Sequence, residues 1–193
     1  MRLVWLVVIL LLSACSKGPA GPSPFRAPQA DAAAYAKDFS LHDTAGKARS
    51  LKDYRGKVVV LFFGYTHCPD VCPTTLGDMA VAMKQLGGLA AKVQVLFVTL
   101  DPARDTAQML NSYVPAFNPG FVALLGSDAE VAQAAAGFKA VYRRHPQPDG
   151  SYSIDHSANS YVFDQDGRLR LILPYGQPPA DIAHDLRILL QGA

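Results

Sequence analysis

Two cysteines, Cys68 and Cys72, stand four positions apart in the run Tyr65-Thr66-His67-Cys68-Pro69-Asp70-Val71-Cys72-Pro73-Thr74-Thr75-Leu76. As thiolates, such a pair attacks disulfides or binds soft metal ions. The run follows Val58-Val59-Val60-Leu61-Phe62-Phe63, an uncharged stretch of β-branched and aromatic residues that reads as a buried central strand. After it, Leu76, Met79, Ala80, Met83 and Leu86 recur at helical spacing. Pro73 suits a first helical turn, where its missing N–H is no loss. A residue before proline is pushed out of the α region, which predicts Cys72 as the cap, Cys68 in the loop and a helix over about 74–90. Both sulfurs then lie near a helix N-terminus, whose partial positive charge favours thiolate. Cα atoms four apart on a helix are roughly 6 Å apart, inside the disulfide range. The pair can close a disulfide or stay open around a metal, and the spacing does not choose.

The remaining elements must position this junction. Phe39 to Lys47 alternates and then turns, which predicts an N-terminal β-hairpin. Val93 to Leu100 reads as a second buried strand, ended by Asp101-Pro102, and Asp105 is placed to cap a helix running to about Phe117. Phe121 to Leu125 is a third strand, and Ser127 with Glu130 has capping-box spacing for the helix after it. Arg143 to Ser153 reads as a polar loop. Ser160–Asp164 and Arg168–Leu173 flank Gln165-Asp166-Gly167, a hairpin signal, and Pro178-Pro179 opens a last helix through Ile182, Leu186, Leu189 and Leu190. Strands alternating with helices, then a hairpin and a helix, make an α/β fold with a central mixed sheet covered on both faces. With a cysteine pair at the first strand-to-helix turn, that is a thioredoxin-like layout. Such a fold hosts oxidoreductases, peroxidases and binders alike, so function must come from the site.

The chain of 193 residues is long enough for one domain with a real core, and a net charge of +2 with no basic run gives no case for nucleic acid. Met1-Arg2 followed by the apolar run Leu3–Leu12 is too short to span a membrane, which needs about 20 residues. The following Leu12-Ser13-Ala14-Cys15 resembles the bacterial lipoprotein cleavage box. That resemblance implies a signal peptide over 1–14, lipid on Cys15, and a Pro- and Ala-rich linker without core residues over 15–34. The globular domain is then 35–193, lipid-anchored at the cell membrane and facing the periplasm. With Cys15 lipidated, Cys68 and Cys72 are an isolated pair. A disulfide between them encloses only three residues, removes little chain entropy and is a poor staple, so reactivity or metal binding accounts for them better.

His42, His67, His145 and His184 have ordinary readings as hairpin, loop, polar-loop and exposed-helix residues. His156, in Asp155-His156-Ser157, is by its own spacing a loop histidine, and nothing in that spacing joins it to the cysteines. Three segments in order, Gly64–Thr74, Leu100-Asp101-Pro102-Ala103-Arg104-Asp105-Thr106 and Asp155-His156-Ser157, resemble the SCO (SenC) family of copper chaperones for cytochrome c oxidase assembly. The resemblance covers roughly Phe39 to Leu190. It implies one copper, as Cu(I) or Cu(II), on Cys68, Cys72 and His156, with the copper-site subunit of the oxidase as partner. Other periplasmic copper carriers or thioredoxin-like reductases are further partners on this reading. Two thiolates and an imidazole suit copper, whereas structural zinc normally closes with four protein ligands. Asp155 and Asp101 are the candidates for the acceptor that fixes the histidine tautomer. A thiol–disulfide oxidoreductase using Cys68 and Cys72, and a redox or copper sensor, stay open beside the chaperone. A peroxiredoxin-like peroxidase lacks support, because two cysteines flank Pro69 where that chemistry needs one attacking cysteine.

Overall fold

The computed structural model describes residues 23–192, so the expected signal peptide, Cys15 and the linker up to residue 22 lie outside the described residues. A seven-stranded mixed sheet runs in the order β2-β1-β5-β4-β3-β8-β9. Its strands are β1 (Leu41–Asp43), β2 (Ala48–Arg49), β3 (Val58–Gly64), β4 (Val93–Thr99), β5 (Val122–Leu125), β8 (Ser160–Phe163) and β9 (Leu169–Leu173). The central β3, β4 and β5 are parallel, and β1, β2, β8 and β9 join antiparallel at the two sides. Every residue of β3 and β4 is buried, as two sheet faces covered by helices require. The helices are α1 (Val71–Leu86), α2 (Ala107–Phe117), α3 (Asp128–Gly137) and α4 (Pro179–Leu190). Leu76, Met79 and Met83 of α1, Leu110 and Val114 of α2, and Ile182, Leu186 and Leu189 of α4 build one core. The opposite core takes Val131, Ala134 and Ala135 of α3 with Phe39, Leu51 and Tyr54. This is the expected thioredoxin-like α/β architecture, N-terminal hairpin included. No helix among the described residues is long and apolar enough to cross a membrane.

Five local expectations are corrected. The motif helix starts at Val71, with Asp70 at its cap position, so Cys72 sits inside the first turn rather than capping it. Pro73 allows this, because a first-turn N–H has no intrahelical partner to lose. The helix stops at Leu86, where Gly87 takes φ 58°, a left-handed value that glycine adopts without strain. Thr106, not Asp105, caps α2, its hydroxyl accepting from the Met109 N–H at 3.2 Å. The polar loop over 143–153 is an antiparallel ribbon of β6 (Tyr142–Pro146) and β7 (Tyr152–His156), forming a second, two-stranded sheet. Finally, the described part of the Pro-rich stretch does hold core residues. Phe25 and Ala27 are buried, and the buried Asp185 of α4 accepts from the Arg26 and Ala27 N–H groups at 2.8 Å each. Gln29 forms a bridge to Leu171 of β9 beside them.

Candidate metal centre

Three groups meet at the C-terminal end of β3. Cys68 lies in the turn after the strand, its N–H donating to the Tyr65 carbonyl at 3.3 Å. Cys72 follows one helical turn later, and its N–H donates to the Cys68 sulfur at 3.4 Å. His156 arrives at the end of β7, with Nε2 at 3.4 Å from the Cys72 Sγ. The two Sγ atoms and the imidazole ligand atom all lie within 4.8 Å of one another. One ion about 2.3 Å from each sulfur and about 2.0 Å from a nitrogen can reach all three with small side-chain shifts. Both cysteines are free thiols, Cys72 fully buried and Cys68 half-buried. The other four histidines stand apart from this cluster.

The local sequence makes the close approach possible. Gly64, the last residue of β3, lies against Cys72; a Cβ there would fall 2.7 Å from the Cys72 Sγ and 2.8 Å from the Phe97 ring. His156 sits edge-on to two aromatic rings, Phe62 at 6.1 Å and Tyr65 at 6.0 Å between centroids. Its Nδ1 lies 2.9 Å from the Ser157 carbonyl. A carbonyl only accepts, so Nδ1 carries the proton and the Nε2 lone pair is turned toward the sulfurs. That is the arrangement a metal-ligating histidine needs.

The cysteines do not share their protons evenly. The Cys72 side chain, hydrogen-bonded to Cys68, draws the Cys68 thiol down to about 4 against the opposing effect of burial. Backbone N–H groups of Cys72 and Asp70 add to that lowering. The same bond to Cys68, and then burial, push Cys72 up. The metal-free pair therefore holds one proton at neutral pH, as a Cys68 thiolate beside a Cys72 thiol.

Neither carboxylate expected beside the histidine touches it. Asp155 is exposed and pairs with His145 Nε2 at 2.9 Å, and the tautomer is fixed by the Ser157 backbone instead. Asp101 is fully buried and acts further back. It accepts from the Tyr152 hydroxyl at 2.6 Å and pairs with Arg104. Arg104 in turn donates to the Tyr152 carbonyl at 2.8 Å and stacks its guanidinium 3.6 Å over the Tyr152 ring. Tyr152 opens β7, the strand that ends in His156. The Tyr65 hydroxyl accepts from the Ile154 N–H at 3.2 Å, tying the cysteine turn to the same strand. Tyr65, Arg104 and Tyr152 carry no sequence signal for this role. Gly64, a glycine ending a strand ahead of the cysteines, is the kind of signal that marks a close approach.

The family model described as SCO1/SenC matches residues 27–191. The Bos taurus "Protein SCO2 homolog, mitochondrial" is 41% identical over 134 residues, covering 67% of this chain and 50% of that protein. The chain spans about half the length of the curated relatives it matches first. Copper-bound ScoI of Bradyrhizobium japonicum superposes with a TM-score of 0.73 at 38% identity, over 79% of this chain and 98% of that one. Apo Sco1 of Thermus thermophilus gives 0.72 at 39% identity, over 79% and 90%. With the family match running across both the cysteine turn and the histidine strand, the chain belongs to the SCO1/SenC family.

Proposed function

We propose that this protein is a copper carrier that binds one copper ion through Cys68, Cys72 and His156 and releases it to the binuclear copper site of cytochrome c oxidase. The observation that carries the reading is the convergence of two sulfurs and an imidazole whose Nε2 is freed by the Ser157 carbonyl. Two soft thiolates with one nitrogen suit Cu(I) and are acceptable to Cu(II), and the similar Bradyrhizobium japonicum and Arabidopsis thaliana ScoI structures are described with copper bound. Loading and release are ligand exchanges with no bond made in the cargo. Cys68, half-buried and ready as thiolate, is the exposed contact for an incoming donor or acceptor; Cys72 and His156 close behind it. Membrane tethering through lipid on Cys15, after loss of residues 1–14, belongs to the same proposal and places the site on the periplasmic side.

The test is an anaerobic Cu(I) titration of the full chain in detergent against a competing chelator. One copper per chain is expected, lost in Cys68→Ser and Cys72→Ser and weakened about ten- to a hundredfold in His156→Ala. Wild-type protein without tight copper would sink the reading. A second reading, thiol–disulfide exchange, is favoured by one observation, the depressed Cys68 thiol next to a second thiol. His156→Ala separates the two, sparing exchange while impairing copper loading.

A further inference from the structure

Asp105 is a buried carboxylate that the copper chemistry does not use. It is 1% exposed, and among the described residues no Lys or Arg lies within ion-pair distance of it. Asp101, four residues earlier, has Arg104 and Arg144. A buried charge without a cation is costly unless hydrogen bonds satisfy it, and such a group calls for an explanation. The bonds Asp105 accepts all come from two threonines. At Oδ2 it takes the Thr66 N–H at 3.0 Å and the Thr99 hydroxyl at 2.6 Å; at Oδ1 it takes the Thr66 hydroxyl at 2.6 Å. The His67 ring stands 3.7 Å from Oδ1, with its Nδ1 also 3.1 Å from the Thr66 hydroxyl. Thr99 ends β4, and its hydroxyl oxygen also accepts from the Asp101 N–H at 2.9 Å. Thr66 and His67 are the two residues immediately before Cys68. One side chain thus fastens the cysteine turn to the end of the neighbouring strand.

We propose that Asp105 is a positioning residue for Cys68: by clamping Thr66 to Thr99 it holds the turn so that the Cys68 sulfur stays opposite Cys72 and His156. The inference rests on the copper-carrier reading for its importance, and its geometry can be read without metal. The Leu100–Thr106 segment then serves both arms of the site. Asp101 braces the strand bearing His156, and Asp105 braces the turn bearing Cys68. Backbone bonds keep the segment rigid, with Leu100 N–H donating to the Gly64 carbonyl at 2.7 Å and Asp105 N–H to the Asp101 carbonyl at 2.9 Å. Asparagine at 105 keeps one acceptor oxygen but presents N–H groups where a donor already points, so the clamp opens on one side.

The test uses the full chain in detergent with Asp105→Asn and two readouts. In the metal-free, reduced protein, oxidised glutathione is added and closure of the Cys68–Cys72 disulfide is timed. Cys68 thiolate attacks the added disulfide and releases one glutathione thiolate; Cys72 then displaces the second, and that intramolecular step depends on where Cys68 sits. In the second readout, Cu(I) affinity is measured for Asp105→Asn alone and in the His156→Ala background. Closure about tenfold slower is expected. A roughly tenfold affinity loss should persist with His156→Ala, because the clamp acts on the Cys68 turn and not on the histidine strand. Closure within twofold of wild type, or an affinity loss that vanishes with His156→Ala, would overturn the proposal and leave Asp105 a fold residue. If Asp105→Asn does not fold, Thr66→Val removes one of the three bonds at nearly constant shape, and wild-type closure in that variant overturns the proposal equally. If wild-type protein binds no copper, the copper reading fails while the closure rate still decides the role of Asp105.

Discussion

The two arms of the site are built to different standards of rigidity. The cysteine arm grows from β3, buried along its whole length and paired on both sides, into a sixteen-residue helix. The histidine arm is a ribbon of two five-residue strands that, among the described residues, joins no other sheet. A two-stranded hairpin alone is marginal in water. What fixes this one is its buried Ile154 and a few side-chain attachments: Tyr152 to Asp101, Arg104 to the Tyr152 carbonyl, and Tyr65 to the Ile154 N–H. The contrast suits a carrier. On the proposed carrier function, sulfur ligands on a stiff frame would hold the copper, and the imidazole on a lightly fastened strand would be the ligand most easily withdrawn for release.

The largest expected effect is on the stiff arm. Gly64→Ala places a methyl 2.7 Å from the Cys72 Sγ and 2.8 Å from the Phe97 ring, and neither can retreat within a filled core. Overpacking of this kind costs about 3 kcal/mol. Chemical denaturation should register that loss, together with a fall in Cu(I) affinity at least as large as that of His156→Ala. Unchanged affinity would show that the cysteine arm is softer than its burial implies. Phe25→Ala, beside Arg170 of β9 and next to the Arg26 and Ala27 bonds to Asp185, is the control outside the cysteine turn and the ribbon. Removing this buried ring should cost a similar amount, about 3 kcal/mol, with Cu(I) affinity unchanged. A copper defect in that variant would mean that general loss of stability, and not local geometry, governs binding.

A smaller effect should come from Tyr152→Phe on the light arm. The substitution leaves Asp101 without its 2.6 Å hydroxyl donor, a loss of about 1–2 kcal/mol. Hydrogen exchange should show faster opening of the amides of 142–145 and 152–156, with those of 58–64 and 93–99 unaltered. Cu(I) affinity should fall, and the fall should vanish when His156 is already alanine. Equal protection changes in β3 and β4 would erase the distinction between the arms.

The same contrast explains what the amino-acid sequence discloses. Continuous apolar runs announce β3 and β4, helical spacing announces α1, and Ser127 with Glu130 announces the capping box that the structure contains. The ribbon is hidden because Ile154 is the one buried residue of its two strands, so neither shows an apolar run or a regular alternation of burial. A signal is nonetheless present: Pro148-Asp149-Gly150 between the strands is turn chemistry, and Gly150 takes φ 84°. Asp105 before a helix looks like a cap because short acidic residues usually are. Only the fold shows it turned inward to Thr66 and Thr99, since that choice depends on strands distant in sequence. The cluster itself joins residues 84 positions apart, and no local pattern encodes such a meeting.

The mildest prediction concerns protons on the cysteine arm. Folding lowers the Cys68 thiol from its ordinary 9.0 to about 4, through the Cys72 bond first, so unfolded chains bind more protons at this site between those values. The stabilisation it brings is fully present above pH 9, declines as pH falls and is gone below about pH 4. Cys72 has the opposite sign. Its thiol is raised, so its contribution is complete below its ordinary 9.0 and is lost as pH rises beyond that. Denaturation of the metal-free chain across this range should give a rising limb from pH 4 to 9 that is shallower in Cys68→Ser by the Cys68 share. Because Cys68 is half open to water, that share is small beside the carboxylates that also protonate at the acid end. The difference between wild type and Cys68→Ser therefore carries the information. Identical limbs in the two proteins would mean that folding leaves the Cys68 thiol at its ordinary value, and the cysteine arm would then offer no ready thiolate to an incoming copper donor.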